Sequence, residues 1–165
     1  MWRFLIILFF LSGCGYHFAG TYGSLPQNIK YLYIEDVQNQ TTEPGIDTEM
    51  ERALSNELNL DKRIKLKGKN KAEGILSVSL TGYKTNAAAF NEKGTATRFR
   101  SLLCAQVELS NIEGKILRKR KLSVFEDYEA KKSSIEENEQ KRKEALTKLT
   151  QDLAREIREF LFIGF

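Results

Sequence analysis

Hydrophobic positions along this 165-residue chain follow two periods, and the change of period marks its elements. Between residues 46 and 60, Ile46, Met50, Ala53, Leu54 and Leu58 recur in steps of three or four, which places them on one stripe of a helix. The same spacing returns near the C-terminus through Ile135, Ala145, Leu146, Leu149, Leu153, Ile157, Phe160 and Leu161, with no proline to interrupt it. Ser133 and Ser134 each precede a glutamate by three positions, Glu136 and Glu137, so two overlapping capping boxes open this second helix.

Between the helices the period is two. Leu76, Val78 and Leu80 alternate with Ser77, Ser79 and Thr81, the pattern of a strand with one packed and one solvated face. Leu103, Ala105, Val107 and Leu109 alternate likewise with Leu102, Cys104, Gln106 and Glu108, and residues 91–94 form the turn between these antiparallel partners. Glu113 and Gly114 turn the chain into a further strand over 116–125. Residues 29–35 are rich in β-branched and aromatic types and read as the first strand, with Tyr31 and Tyr33 on one face and Leu32 and Ile34 on the other. A turn-prone stretch, 39–45, leads into the first helix; a short strand at 64–66 and a basic loop at 67–71 follow it. The order β, α, β, β, β, β, α predicts an α+β two-layer sandwich, two helices packed on one face of a four- or five-stranded, mostly antiparallel sheet.

The N-terminus has a different character. Arg3, an apolar run of eight residues over 4–11, and the sequence Leu11-Ser12-Gly13-Cys14 have the layout of a bacterial lipoprotein signal peptide. The run is shorter than the roughly 18 to 20 residues that a spanning helix needs. The expected organisation is a leader over 1–13, a lipidated tether over 14–28 beginning at Cys14, and one α+β domain over 29–165. Gly15 stands where an aspartate would favour inner-membrane retention, so the expected address is the periplasmic side of the outer membrane.

Charge and cysteine content narrow the function. Twenty-six Lys and Arg against 22 Asp and Glu give a mild excess of +4, interspersed rather than blocked, which does not point to nucleic acid. With Cys14 lipidated, Cys104 has no intrachain partner and reads as a packed core thiol. The single histidine, His17, lies in the tether, so neither a His-containing triad nor a zinc-like cluster can be assembled. No P-loop, Gly-x-Ser-x-Gly or His-Glu-x-x-His motif occurs, and no enzyme activity is expected. No cofactor is expected beyond the covalent lipid on Cys14.

Two basic segments are candidate binding sites. Residues 84–100 bring Phe90 together with Lys93, Arg98 and Arg100 at the tip and flank of a hairpin, a combination suited to a phosphorylated amphiphile; composition alone favours the plainer reading, that such charges keep an exposed hairpin from pairing edge to edge. Residues 115–121, followed by Lys131 and Lys132 before the last helix, suit an anionic partner or a basic strand edge paired with nearby acids.

The order of these pieces resembles the LptE family of lipopolysaccharide-assembly lipoproteins. The resemblance rests on Cys14-Gly15-Tyr16 with residues 17–20 after the lipobox, Leu25-Pro26 before the first strand, residues 39–45 before the first helix, residues 72–76 entering the second hairpin, and Ala145, Leu146, Leu149, Asp152, Leu153, Ala154 and Ile157 in the last helix. It implies an outer-membrane lipoprotein that plugs the LptD β-barrel and helps place lipopolysaccharide in the outer leaflet, with the same two-layer fold. It also implies lipopolysaccharide contacts near the hairpin tip and before the last helix, at Lys93 with Arg98 beside it and at Lys131 with Lys132; Arg100 completes the candidate set. Two other classes fit a lipid-anchored α+β domain: a pilotin or structural subunit of another envelope complex, and a lipoprotein hydrolase, for which the chain offers no nucleophile with an oriented base.

Overall fold

A computed structural model describes residues 23–129 and 134–162. Along the chain come β1 (Tyr31–Ile34), β2 (Gln38–Asn39), α1 (Ile46–Asn59), β3 (Lys65–Leu66), β4 (Gly74–Phe90), β5 (Ala96–Asn111), β6 (Ile116–Glu129) and α2 (Ile135–Phe162). The strands form one sheet in the order β3-β1-β4-β5-β6, with β2 also paired to β4. β4, β5 and β6 are antiparallel, whereas β1 runs parallel to β3 and β4, and β2 parallel to β4. The α+β class expected from the sequence is therefore correct, but the sheet has six strands and a parallel side.

The additional strand has a simple origin. β1 faces residues 74–76 of β4 and β2 faces Ser79 and Leu80, so the two lie in succession along one edge. Between them Val37 turns into the core, 5% exposed, and its N–H donates to Oε1 of Glu51 on α1 at 2.9 Å. That detour breaks one strand into two pieces, and a two-residue piece leaves no period in the sequence.

The core is the one the alternation describes. Leu76, Val78 and Leu80 of β4 and Leu103, Ala105, Val107 and Leu109 of β5 are buried beneath the five stripe residues of α1 and the inner face of α2. Each such leucine, valine, isoleucine or methionine contributes about 1.5–3 kcal/mol on leaving water, and the alanines less. Leu25 also joins this cluster at 2% exposure, ahead of the first strand. Ser134 caps α2 as expected, its Oγ accepting from the Glu137 N–H at 3.2 Å.

Two positions depart from expectation. Ile135, assigned to the apolar stripe of α2, is 85% exposed, because it sits in the first helical turn and the buried stripe begins only at Ala145. Cys104 is half-buried on the outer face of the sheet rather than packed in the core; the period of two that buries Leu103 and Ala105 turns Cys104 the other way. Near the start of β6, Arg118 turns its Nη1 to the carbonyls of Phe160 and Leu161, at 3.0 and 2.9 Å, satisfying acceptors that the end of α2 leaves open. Lys119 of the same basic segment is paired with Glu108 at 2.7 Å, so this part follows the structural reading.

Beyond Leu80 the architecture changes. β4 has lost its partner on one edge, and what continues is a three-stranded ribbon of β4, β5 and β6 in which no residue from Thr81 to Arg100 is buried.

Candidate functional site

The ribbon ends in a turn built by one side chain. The Asn91 Oδ1 accepts from the N–H groups of Lys93 and Thr95, both at 3.0 Å, and Gly94 takes φ +72°, where a side chain would be strained. Lys93 is thus raised at the apex of an internally satisfied loop. The turn after β5 repeats the device, with Asn111 Oδ1 accepting from Glu113 and Lys115 at 3.1 and 2.9 Å and Gly114 at φ +83°.

The candidate cations differ in how they are held. Arg100 is committed: its Nε and Nη2 donate to Asp127 at 2.6 and 2.8 Å, and its guanidinium carbon lies 4.4 Å from the centre of the Phe125 ring. The hydrogen bonds from Arg100 hold the Asp127 carboxyl below the usual aspartate range. Arg98 lies two residues along the same strand, its charge also felt by Asp127, and is exposed. Neither Lys93 nor Arg98 is in an ion pair among the described residues. Phe90, 63% exposed, stands at the same end, opposite Ala96. Lys131 and Lys132 fall outside the described residues, as do His17 and the proposed lipid attachment at Cys14.

The opposite face of the ribbon is tied to the helices. Arg142 on α2 donates through Nη1 to Glu43 at 2.8 Å and through Nε to Glu139 at 3.1 Å. The bond to Glu43 is the main reason its guanidinium is held even more firmly protonated than usual, and Tyr83 of β4 adds a further contact. Glu43 sits in the turn before α1, which Asn39 organises by donating to its carbonyl at 2.8 Å. Lys148 meets Glu126 of β6 at 3.0 Å, and Phe99 stacks on Tyr128 with centroids 5.7 Å apart. Arg142 was not legible as a functional residue, because its partner lies 99 positions away in sequence.

Chemically this is a three-stranded ribbon that offers cations and an exposed aromatic ring, with its inner face tied to α2. Among the described residues no group of His, Cys, Asp and Glu could hold a metal ion, and no helix is long and apolar enough to cross a membrane.

The two helices on an open mixed sheet form an α+β fold that is also found in bacterial lipoproteins of known structure. The family model described as LptE, lipopolysaccharide-assembly, matches residues 29–161, and the chain belongs to that family. Among solved structures it is similar to lipoprotein B from Nitrosomonas europaea, with 18% identity over 87% of this chain and 88% of the other and a TM-score of 0.56. Rare lipoprotein B from Shewanella oneidensis gives 10% identity over 76% and 92% at a TM-score of 0.56. The PelC dodecamer from Paraburkholderia phytofirmans gives 13% identity over 87% and 96% at 0.53. At these identities the likeness is one of fold. No curated protein sequence matches the chain.

Proposed function

We propose that this protein is a non-enzymatic outer-membrane lipoprotein, anchored through Cys14 on the periplasmic side, that plugs an LptD-type β-barrel and presents lipopolysaccharide to it. Family membership supports lipopolysaccharide assembly as the process. The observation that carries the finer reading is the ribbon: it extends past the core without a buried residue from Thr81 to Arg100 and bears Lys93 and Arg98, in no ion pair among the described residues, at the same end as exposed Phe90. A plug requires a stiff polar surface and a path for ligand, and a braced three-stranded ribbon supplies the first without catalytic groups.

Lipid A phosphates are the natural ligands for such cations. Charge-assisted hydrogen bonds are about twice as strong as neutral ones, and separating two aggregated lipopolysaccharide molecules requires competing for the phosphates that divalent ions otherwise bridge. In this reading Lys93 and Arg98 make the first contacts and Phe90 meets acyl carbon. Arg100 contributes through the guanidinium edge that Asp127 leaves over, and Lys131 and Lys132, outside the described residues, are further candidate contacts.

The test is affinity purification from detergent-solubilised outer membrane with a C-terminal tag. Recovery of a stoichiometric large β-barrel with lipopolysaccharide is expected. Recovery of a different envelope complex without either would favour a pilotin or structural subunit instead.

A further inference from the structure

A second basic site lies at the other end of the molecule. Tyr31, Lys65, Lys67 and Lys71 line a cleft of about 280 Å³ beside the edge strand β3. Parallel pairing sets Tyr31 directly opposite Lys65, and Lys67 follows two residues on, so all three share the outer face of the sheet. The Lys67 N–H donates to the Leu32 carbonyl at 2.9 Å and fixes the strand end there, while Lys71 is brought in by the single 3-10 turn Lys69–Lys71.

The nearby acids are already engaged. Oε2 of Glu73 accepts from the backbone N–H groups of Lys30 and Tyr31 at 2.7 and 3.2 Å. Glu35 accepts from the Ser77 hydroxyl at 2.8 Å and faces Lys69 at 3.9 Å. Among the described residues no carboxylate pairs with Lys65, Lys67 or Lys71. Three ammonium groups around one cleft, none paired with a carboxylate among the described residues, make a site for an anion, and the phenol of Tyr31, 38% exposed, adds a hydrogen-bonding edge.

The course of the N-terminal segment selects the source of that anion. Gly23 packs so closely on the end of α2 that a Cβ there would lie 1.8 Å from the Phe162 carbonyl oxygen, and its own carbonyl accepts from Arg63 at 3.3 Å. The chain therefore enters the domain at the same end as the cleft, and Lys30 directly precedes Tyr31. Nine residues from Cys14 to Gly23 span at most about 30 Å. The tip of the ribbon is farther still, since the 17 residues of β4 cover about 55 Å. A lipid on Cys14 would hold the cleft, and not the ribbon tip, near the bilayer that carries the anchor.

We propose that Lys65, Lys67 and Lys71 around Tyr31 bind the phosphate of an anionic phospholipid headgroup in that leaflet, a contact distinct from the ribbon cations; the choice of a lipid source rests on the anchor at Cys14. An acyl anchor and a basic surface then act as two signals that hold the cleft end of the domain at the bilayer surface.

Lysine footprinting of the full-length protein tests this. The protein is reconstituted with phosphatidylcholine vesicles, with vesicles that also contain phosphatidylglycerol, and with phosphatidylcholine vesicles in inorganic phosphate; limited acetylation is then read by mass spectrometry. Acetylation of Lys65, Lys67 and Lys71 is expected to slow about threefold or more with phosphatidylglycerol only, with Lys93 unchanged. A Lys65→Gln, Lys67→Gln variant is expected to lose the protection at Lys71. Equal labelling in both vesicle types, or protection by inorganic phosphate alone, would overturn the assignment. Flotation separates the anchor from the cleft: a protein that floats with both vesicle types yet labels equally keeps its anchor and loses the headgroup site, whereas protection with flotation on phosphatidylglycerol vesicles only does the reverse.

Discussion

The two halves of the β4–β5 hairpin obey different rules although the same strands run through both. In the half next to the helices, alternate residues from Leu76 to Leu80 and from Leu103 to Leu109 are buried at 0–1% exposure. In the far half no residue from Thr81 to Arg100 is buried, and structure is kept by side-chain hydrogen bonds and ion pairs: Thr85 with Ser101 at 2.8 Å, Arg100 with Asp127, and the Asn91 turn. The near half is held by removing apolar surface from water. The far half is held by polar contacts at the surface, each worth less, and so keeps its charges available.

The largest test of this difference compares two neighbours on one strand. Leu103→Ala should cost about 3 kcal/mol in a denaturant melt, because a fully buried leucine leaves a cavity, while Leu102→Ala, 37% exposed on the other face, should cost under about 1 kcal/mol. Equal losses would mean that the outer face is packed too. A smaller effect is expected at the brace. Arg142→Ala should cost about 1 kcal/mol, since the Arg142 and Glu43 side chains are 26% and 17% exposed, and it should speed hydrogen exchange in residues 135–144 more than in 149–161.

The two asparagine turns sharpen the comparison further. Gly94→Ala and Gly114→Ala place a side chain at φ +72° and +83° with open space around it, so each should cost about 1 kcal/mol from backbone strain alone. The smallest effect is acid loosening of the ribbon. Asp127 titrates below the ordinary 3.8 because Arg100 donates to it, so its ion pair persists through neutral pH and is lost as pH falls through that depressed value. Because the pair is exposed, resonances of Arg100 and Asp127 should shift below about pH 4 with little change in global stability.

Much of the near half was legible in the sequence, since burial writes itself as a period. Met50, Ala53, Leu54 and Leu58 were assignable to one helix face, and the strict alternation around Leu80 and Leu103 gave register and facing together. The same alternation placed Cys104 outside, and treating it as a core thiol on general preference missed that. β2 escaped because two residues carry no period. The extent of β4 out to Phe90 was not visible, because a ribbon without a packed face has no hydrophobic pattern to announce it. Contacts between distant segments were equally hidden: Glu43 with Arg142, and Tyr31 with Lys65, come together only through topology. The hairpin cations were noticed because lysine and arginine cluster locally, yet only the structure separates Arg100, paired with Asp127, from Lys93 and Arg98.

In the proposed function the far half of the hairpin, and not the packed domain, meets lipopolysaccharide. This is tested most directly by Lys93→Glu, Arg98→Glu in the full-length protein, with lipopolysaccharide binding, barrel co-purification and thermal melting measured on one preparation. Lipopolysaccharide binding is expected to fall about tenfold, the equivalent of about 1.4 kcal/mol, while the barrel is still recovered and the melting temperature is unchanged. Binding that is undiminished after both charges are reversed would rule out the hairpin cations as the lipopolysaccharide contact.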